Sequence, residues 1–371
     1  MVPEPIVLTP RFARRLTDAR IGALAVALAL PSAARAYETD QLTDRHIPLD
    51  DASAWANAHM ESLLDEAADH VNTTSGCDRT DEALRRALAA RIHATAARAA
   101  RVRGRGLMPG LGHSRYSAAL EQAPIDRIYN RDGIYGRVGV RGAPALATAG
   151  VCSTICIGDV RVGTDKFFHF LDEGYVYFRR SRAGADPERA IAWGTRAERT
   201  ITGLWTSGAF SYADLRANWD GGRFYSGLLQ PGSILQRDPD GCVVRDGPWD
   251  WRDWIDEEYD EVINPSVYRK PVQRAVSAQL QADRDRVCAL RELAPSEPLL
   301  EPPPYAGRRA PPRSDPFSLD EICIEVPPAP PATTPVGEAV TGAAADTARS
   351  VQRQTRRLRE ALGDALRRPR P

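Results

Sequence analysis

Lysine is nearly absent from this chain: among 49 basic residues in 371 positions, only Lys166 and Lys270 are lysines. Methionine (3) and histidine (6) are scarce too. Neither charge sign is in excess, 49 against 49, so no global electrostatic footprint points to nucleic acid. No apolar run approaches the length of a membrane span, which takes about 20 residues. The chain also lacks H-E-x-x-H, G-x-S-x-G and C-x-x-C, which removes the motif-bearing zinc proteases, serine hydrolases and dithiol oxidoreductases. No internal repeat points to a solenoid.

What is present begins with Arg11, Arg14, Arg15 and Arg20, the apolar run IGALAVALAL (21–30) and the small-residue step Ala34-Arg35-Ala36. That order is the pattern of a cleavable secretory signal peptide over residues 1–36. An exported chain with an even number of cysteines (77, 152, 156, 242, 288, 323) is expected to use them as disulfides rather than metal thiolates. Cys288 with Cys323 is the one pairing we predict, because it would pin the proline-dense stretch between them. Cys152 and Cys156 lie four apart in a β-like run, too far to bridge each other, so each is expected to pair elsewhere.

The pattern predicts a mainly α-helical fold with Gly/Pro-rich loops and at most a short hairpin. Residues 37–125 form an N-terminal helical region, with Ala-rich helical spacing at 52–70 and 80–103. Residues 126–294 form a helical core. Residues 104–164, rich in Gly and Pro with the short β-branched runs GRVGV and STICIGDVRV, read as loops with at most a short hairpin; DPDG (238–241) reads as a turn and 267–292 as a helix. Residues 295–335 read as an extended Pro-rich linker. Residues 336–371 read as a basic amphipathic tail helix, with Val340, Ala344, Ala348, Val351, Leu358, Leu362 and Leu366 on one stripe; eight arginines against Glu360 and Asp364 give its last part a net charge of +6. Such a helix suits peripheral contact with an anionic membrane or a partner; a solvated tail is the competing reading.

Three segments carry polar residues in unusual places. Over 165–178, a helical wheel sets Asp165, Lys166, His169, Asp172 and Glu173 on one arc and Phe167, Phe170, Leu171, Tyr175 and Phe178 on the other, an ordinary wet face. Over 188–206, Glu198 falls among the apolar residues, between Trp205 and Ile191. Over 212–229, Asp214 and Asn218 share an arc with Gly221, Tyr225 and Leu228. Ser211-x-x-Asp214 accounts for Asp214 as a helix start; it accounts for neither Asn218 nor Glu198. An unpaired buried charge costs several kcal/mol, so these groups need partners.

Together, Asp165-Lys166-x-x-His169-Phe170, then Glu198, then Ser211-x-x-Asp214-x-x-x-Asn218-x-x-Gly221 resembles the pattern of VanZ-like proteins and the related YfiM-type envelope proteins, over about 60 of the 371 residues. The resemblance implies a place in the bacterial envelope and a link to envelope maintenance, with no reaction. VanZ-like proteins span the membrane and YfiM-type proteins are lipoproteins; this chain has neither a later span nor a lipobox cysteine, its first Cys being Cys77.

Two functions fit these residues. In one, a closed Asp/Lys/His/Glu/Asn network fixes helix register or binds a ligand in the cell envelope. In the other, a metal-dependent or acid/base hydrolase acts on an envelope lipid or glycan. It would use Asp165, His169, Glu198 and Asp214 as ligands of zinc or manganese, and His169, Glu198, Asp214 and Lys166 as its chemical groups. His46, His59, His70, His93 and His113 are scattered and read as surface or core residues. Trp249, Trp251, Trp254 and Tyr259 amid acids read as a loop packed on the core, with a sugar-stacking surface as the alternative.

Overall fold

A computed structural model describes residues 38–97, 114–130, 133–136, 138, 143, 151–200, 202–290 and 317–323. The expected signal peptide, the 336–371 tail and most of the Pro-rich stretch lie outside these residues. The described residues belong to one compact unit, Met1–Ile324.

The fold is mainly helical. Helix α1 (Ser53–Ser75) buries Ala56, Met60, Leu63, Leu64, Ala67 and Val71 at helical spacing, and packs on α2 (Asp81–Ala97), whose first turn carries Asp81 and Glu82 where the helix dipole favours acids. A disulfide from Cys77 to Cys242 ties the end of α1 to the hairpin over 235–245. The short α3 (Arg115–Leu120) is capped by Ser114, whose side chain accepts from the Ser117 backbone N–H.

The expected hairpin is β1 (Thr154–Ile157) with β2 (Val160–Gly163), joined through Gly158 at φ 59°. A two-residue loop with glycine in the left-handed region matches the strand twist. Strand β2 runs straight into α4 (Thr164–Phe168), a single π-helical turn (His169–Glu173) and α5 (Gly174–Arg180). After α6 (Pro187–Glu198) come β3 (Ala209–Phe210) and α7 (Tyr212–Gly227). The DPDG turn joins β4 (Leu235–Arg237) to β5 (Val243–Arg245). Strand β6 (Val267–Tyr268) pairs with β3, followed by α8 (Lys270–Gln281), α9 (Arg284–Ala289) and α10 (Asp320–Cys323).

The main core takes residues from α1, α2, α3, the first hairpin, the π turn, α7 and the tryptophan loop, so chain on both sides of residue 125 contributes to it. Trp249, Trp251 and Tyr259 are buried there, as a packed loop requires.

Three expectations are corrected. The helix expected over 188–206 ends at Glu198: the β-branched Thr200–Thr202 stretch disfavours helix, and the chain turns back so that the Leu204 N–H donates to the Glu198 carbonyl at 2.9 Å. Trp205, placed on the buried arc, is 63% exposed as a result. The stretch read as a linker is anchored at 317–323, where Phe317, Leu319 and Ile322 are buried and Cys323 bonds Cys288, the predicted pair. Cys152 and Cys156 are free thiols: the other four cysteines pair among themselves, and Cys156 instead donates to the Gly158 carbonyl at 3.1 Å.

Candidate functional site: a buried carboxylate cluster

The site is assembled where the π turn and the first residue of α5 lie against α7. Contact is close because both elements lack side chains there: a Cβ on Gly174 would sit 2.6 Å from the Gly221 Cα, and one on Gly221 would overlap the Phe170 carbonyl oxygen. The arc read as wet is dry because Thr39, Asp214, Asn218 and Glu261 close over it: Asp165, Lys166, His169 and Glu173 are buried, and the Asp172 side chain is 12% exposed. A helical wheel shows which residues share an arc and not what packs on it.

Lys166 is the hub. Its Nζ lies 2.8 Å from Asp165 Oδ2, 2.7 Å from Asp214 Oδ1 and 2.7 Å from Glu261 Oε1, with the side chain fully buried. Burial alone would lower its pKa, but the carboxylates of Asp165, Asp214 and Glu261 outweigh that and hold the ammonium charged. A compact point charge suits three carboxylates converging from different elements, where a guanidinium fork would not fit.

Asp214, at the first turn of α7, sits at the centre. Its N–H donates to Ser211 Oγ at 3.1 Å, so the capping role read from the sequence is real. Its carboxylate serves the cluster as well. Burial would raise its pKa, yet His169 and Lys166 pull it far below the usual carboxylate range. The contacts to Lys166 Nζ and to His169 Nε2 (3.1 Å) are at ion-pair distance, but neither is aligned as a hydrogen bond. Charge, not directed bonding, holds this carboxylate.

Asn218, one turn along α7, faces His169. We assign its amide with Nδ2 toward His169 Nδ1 (3.0 Å) and toward the backbone oxygens of His169 (3.2 Å) and Asp214 (3.3 Å), because an amide oxygen there would meet only acceptors. Two influences on the imidazole then oppose each other. Although burial lowers its proton affinity, Asp214 raises its pKa to about 9.

Glu198 ends α6 with both oxygens engaged, one accepting from the Ser211 N–H (3.1 Å) and one from Thr202 Oγ1 (3.2 Å). Burial, reinforced by Asp214, lifts its pKa to about 8. The structure thus brings Asp165, Lys166, His169, Glu198, Asp214 and Asn218 together, as the sequence suggested.

It adds residues that sequence reasoning missed. Glu261 is lifted by burial to about 7 despite Lys166, and its Oε1 also accepts from Ser211 Oγ at 3.1 Å. Thr39 Oγ1 donates to Asp165 Oδ1 at 2.6 Å. Glu38 is fully buried with neither carboxylate oxygen partnered, and burial together with Asp214 and Glu261 drives its pKa well up. Glu38 and Thr39 were legible only as the two residues after Tyr37, and Glu261 as one acid among many. Nothing in their local pattern marks them.

Two groups of three could hold a metal ion, each offering ligand atoms within 4.8 Å of one another: Asp165, His169 and Asp214, and Glu38, Glu198 and Asp214. In the first, the Lys166 ammonium already sits on two of the three members. The second has the unpartnered Glu38 and no lysine on Glu38 or Glu198.

No family model, no curated protein and no solved structure matches this chain. The two disulfides are bonds that persist in oxidising compartments, and among the described residues no helix is long and apolar enough to cross a membrane.

Proposed function

We propose that this is an exported protein of the bacterial envelope, as the VanZ-like and YfiM-type resemblance implies, whose carboxylate cluster binds a divalent cation through Glu38, Glu198 and Asp214. The observation that carries the reading is Glu38: a carboxyl with no exposure and no partner, facing two other acids, is costly unless protonated or bound to a cation. Three carboxylates are hard oxygen donors, which suit manganese, magnesium or calcium; the zinc expected alongside manganese would call for the His169 nitrogen, which is engaged with Asp214 and Asn218.

The cation's role is structural or ligand-holding. It would tie the buried segment 38–42 to α6 and α7, adding to Thr39–Asp165 and to the Cys152 N–H donating to the Glu38 carbonyl at 3.0 Å. The hydrolase alternative is weaker, because an envelope lipid or glycan would have to reach acids that are at most 7% exposed.

Elemental mass spectrometry on residues 37–371, purified from an oxidising periplasm without a metal-affinity tag, tests the reading. One divalent metal per chain, lost in Glu38→Gln, is the expected result. A metal-free protein whose melting temperature does not move with added manganese, magnesium or calcium would refute it.

A further inference from the structure

A second site lies away from the acid cluster. Between α7, the β4–β5 hairpin and the tryptophan loop is an open cleft of about 660 Å³, within the range that holds small ligands. Trp254 is half-buried on its wall, backed by the parallel ring of Trp249 (centroids 5.8 Å apart, 9° between planes) and by Phe224 edge-on at 6.0 Å. The backing rings fix its orientation. The Arg223 guanidinium lies 6.0 Å from the same ring, with 59% of its side chain exposed. Asp253 is exposed, and Gln236, which also lines the cleft, presents its amide beside Asp246 at 2.8 Å.

The charge of the lining selects a ligand class. Three arginines face five aspartates. Arg216 is held by Asp220 and Asp256, Arg223 by Asp220 at 3.2 Å, and Arg252 by Asp250. A polyphosphate or other polyanion would meet excess negative charge and arginines already paired. A purely apolar ligand would strand these polar groups without water. A neutral polyhydroxylated ligand satisfies both conditions: its C–H face stacks on an indole while its hydroxyls exchange hydrogen bonds with carboxylates, amide and guanidinium.

We infer that this cleft is a glycan-binding site, with Trp254 as the stacking platform and Arg223, Gln236 and Asp253 as the hydroxyl-binding groups. It is independent of the cation site, since the two share no residue.

Isothermal titration calorimetry on the disulfide-intact chain, with short oligomers of N-acetylglucosamine, of glucose and of mannose and with inorganic pyrophosphate as control, tests it. At least one oligosaccharide should bind saturably and pyrophosphate should not. Trp254→Ala should weaken binding about tenfold or more, equivalent to ~1.4 kcal/mol. Because Trp254 also packs on Phe170 and Phe224, the exposed Asp253→Ala and Arg223→Lys, which keeps a cation beside the buried Asp220, serve as paired variants that should weaken binding while leaving the melting temperature unchanged. The inference is overturned if none of the three sugars binds at millimolar concentration, if pyrophosphate binds in preference, or if all three variants bind like wild type.

Discussion

At the scale of single residues, the chain's lysine scarcity acquires a physical meaning. Lys166 neutralises carboxylates from three elements, and removing one partner from a buried ion network strands the others. Lys166→Met should therefore destabilise the fold by ~3–5 kcal/mol, measured by urea unfolding. Combining it with Glu261→Gln should recover part of that loss, because the two groups touch. Glu38→Gln goes the other way. The amide has nearly the same shape and cannot ionise, so in chelator-treated protein at pH 8 this variant should melt at or above the wild type. A large loss would mean that the Glu38 carboxylate is paired after all.

The same residues set a pH dependence. Glu198 and Glu261 start from an ordinary 4.5 and are raised by burial to about 8 and about 7. A raised acid binds its proton more tightly folded than unfolded, so it costs nothing below pH 4.5 and erodes stability as pH climbs toward the folded value. Cation-free protein should thus lose stability between pH 5 and 8, on the order of a few kcal/mol across the cluster. Saturating cation should reverse the trend, because ligation needs the deprotonated acids. Calorimetric melting at both pH values, with and without chelator, reads both signs.

At the scale of elements, the site depends on how closely α7 meets the π turn and α5. Gly221→Ala would drive a methyl into the Phe170 carbonyl, and backbone cannot move aside as a flexible side chain can. We expect a loss of ~3 kcal/mol together with loss of the cation, checked by unfolding and metal content. A neutral outcome would mean that the elements can separate without disturbing the cluster. The element scale also explains what the helical wheel misjudged. It brought Glu198, Asp214 and Asn218 forward because each broke an apolar pattern, yet it assigned Lys166 and His169 to solvent, since a wheel shows which residues share an arc and not which distant segments cover that arc.

At the scale of the whole molecule, the two disulfides close sequence separations of 165 and 35 residues. The Cys288–Cys323 bond holds the buried 317–323 segment against α8 and α9. Replacing both cysteines with serine should cost ~3 kcal/mol in the chain-entropy view and increase proteolysis near residue 317, leaving metal content unchanged. The 336–371 tail is a separate proposal: its deletion should abolish binding to anionic vesicles without shifting the melting transition, and unchanged binding would exclude a membrane role for it.

Composition, periodicity and punctuation sufficed for the helical class, a short hairpin within 104–164, the capped start of α7 at Ser211 and the Cys288–Cys323 pair, because each rests on interactions between near neighbours or on a simple geometric constraint. Asp165, Lys166, His169, Glu198, Asp214 and Asn218 were visible as anomalies or through their joint spacing. Glu38, Thr39 and Glu261 were not, and neither was the end of α6 at Glu198. They enter the cluster through contacts that bridge 95 residues from Lys166 to Glu261 and 126 from Thr39 to Asp165. Only folding decides which distant acids share one dry cavity, and it is that sharing, through desolvation and mutual repulsion, that turns ordinary carboxyls into a candidate cation site.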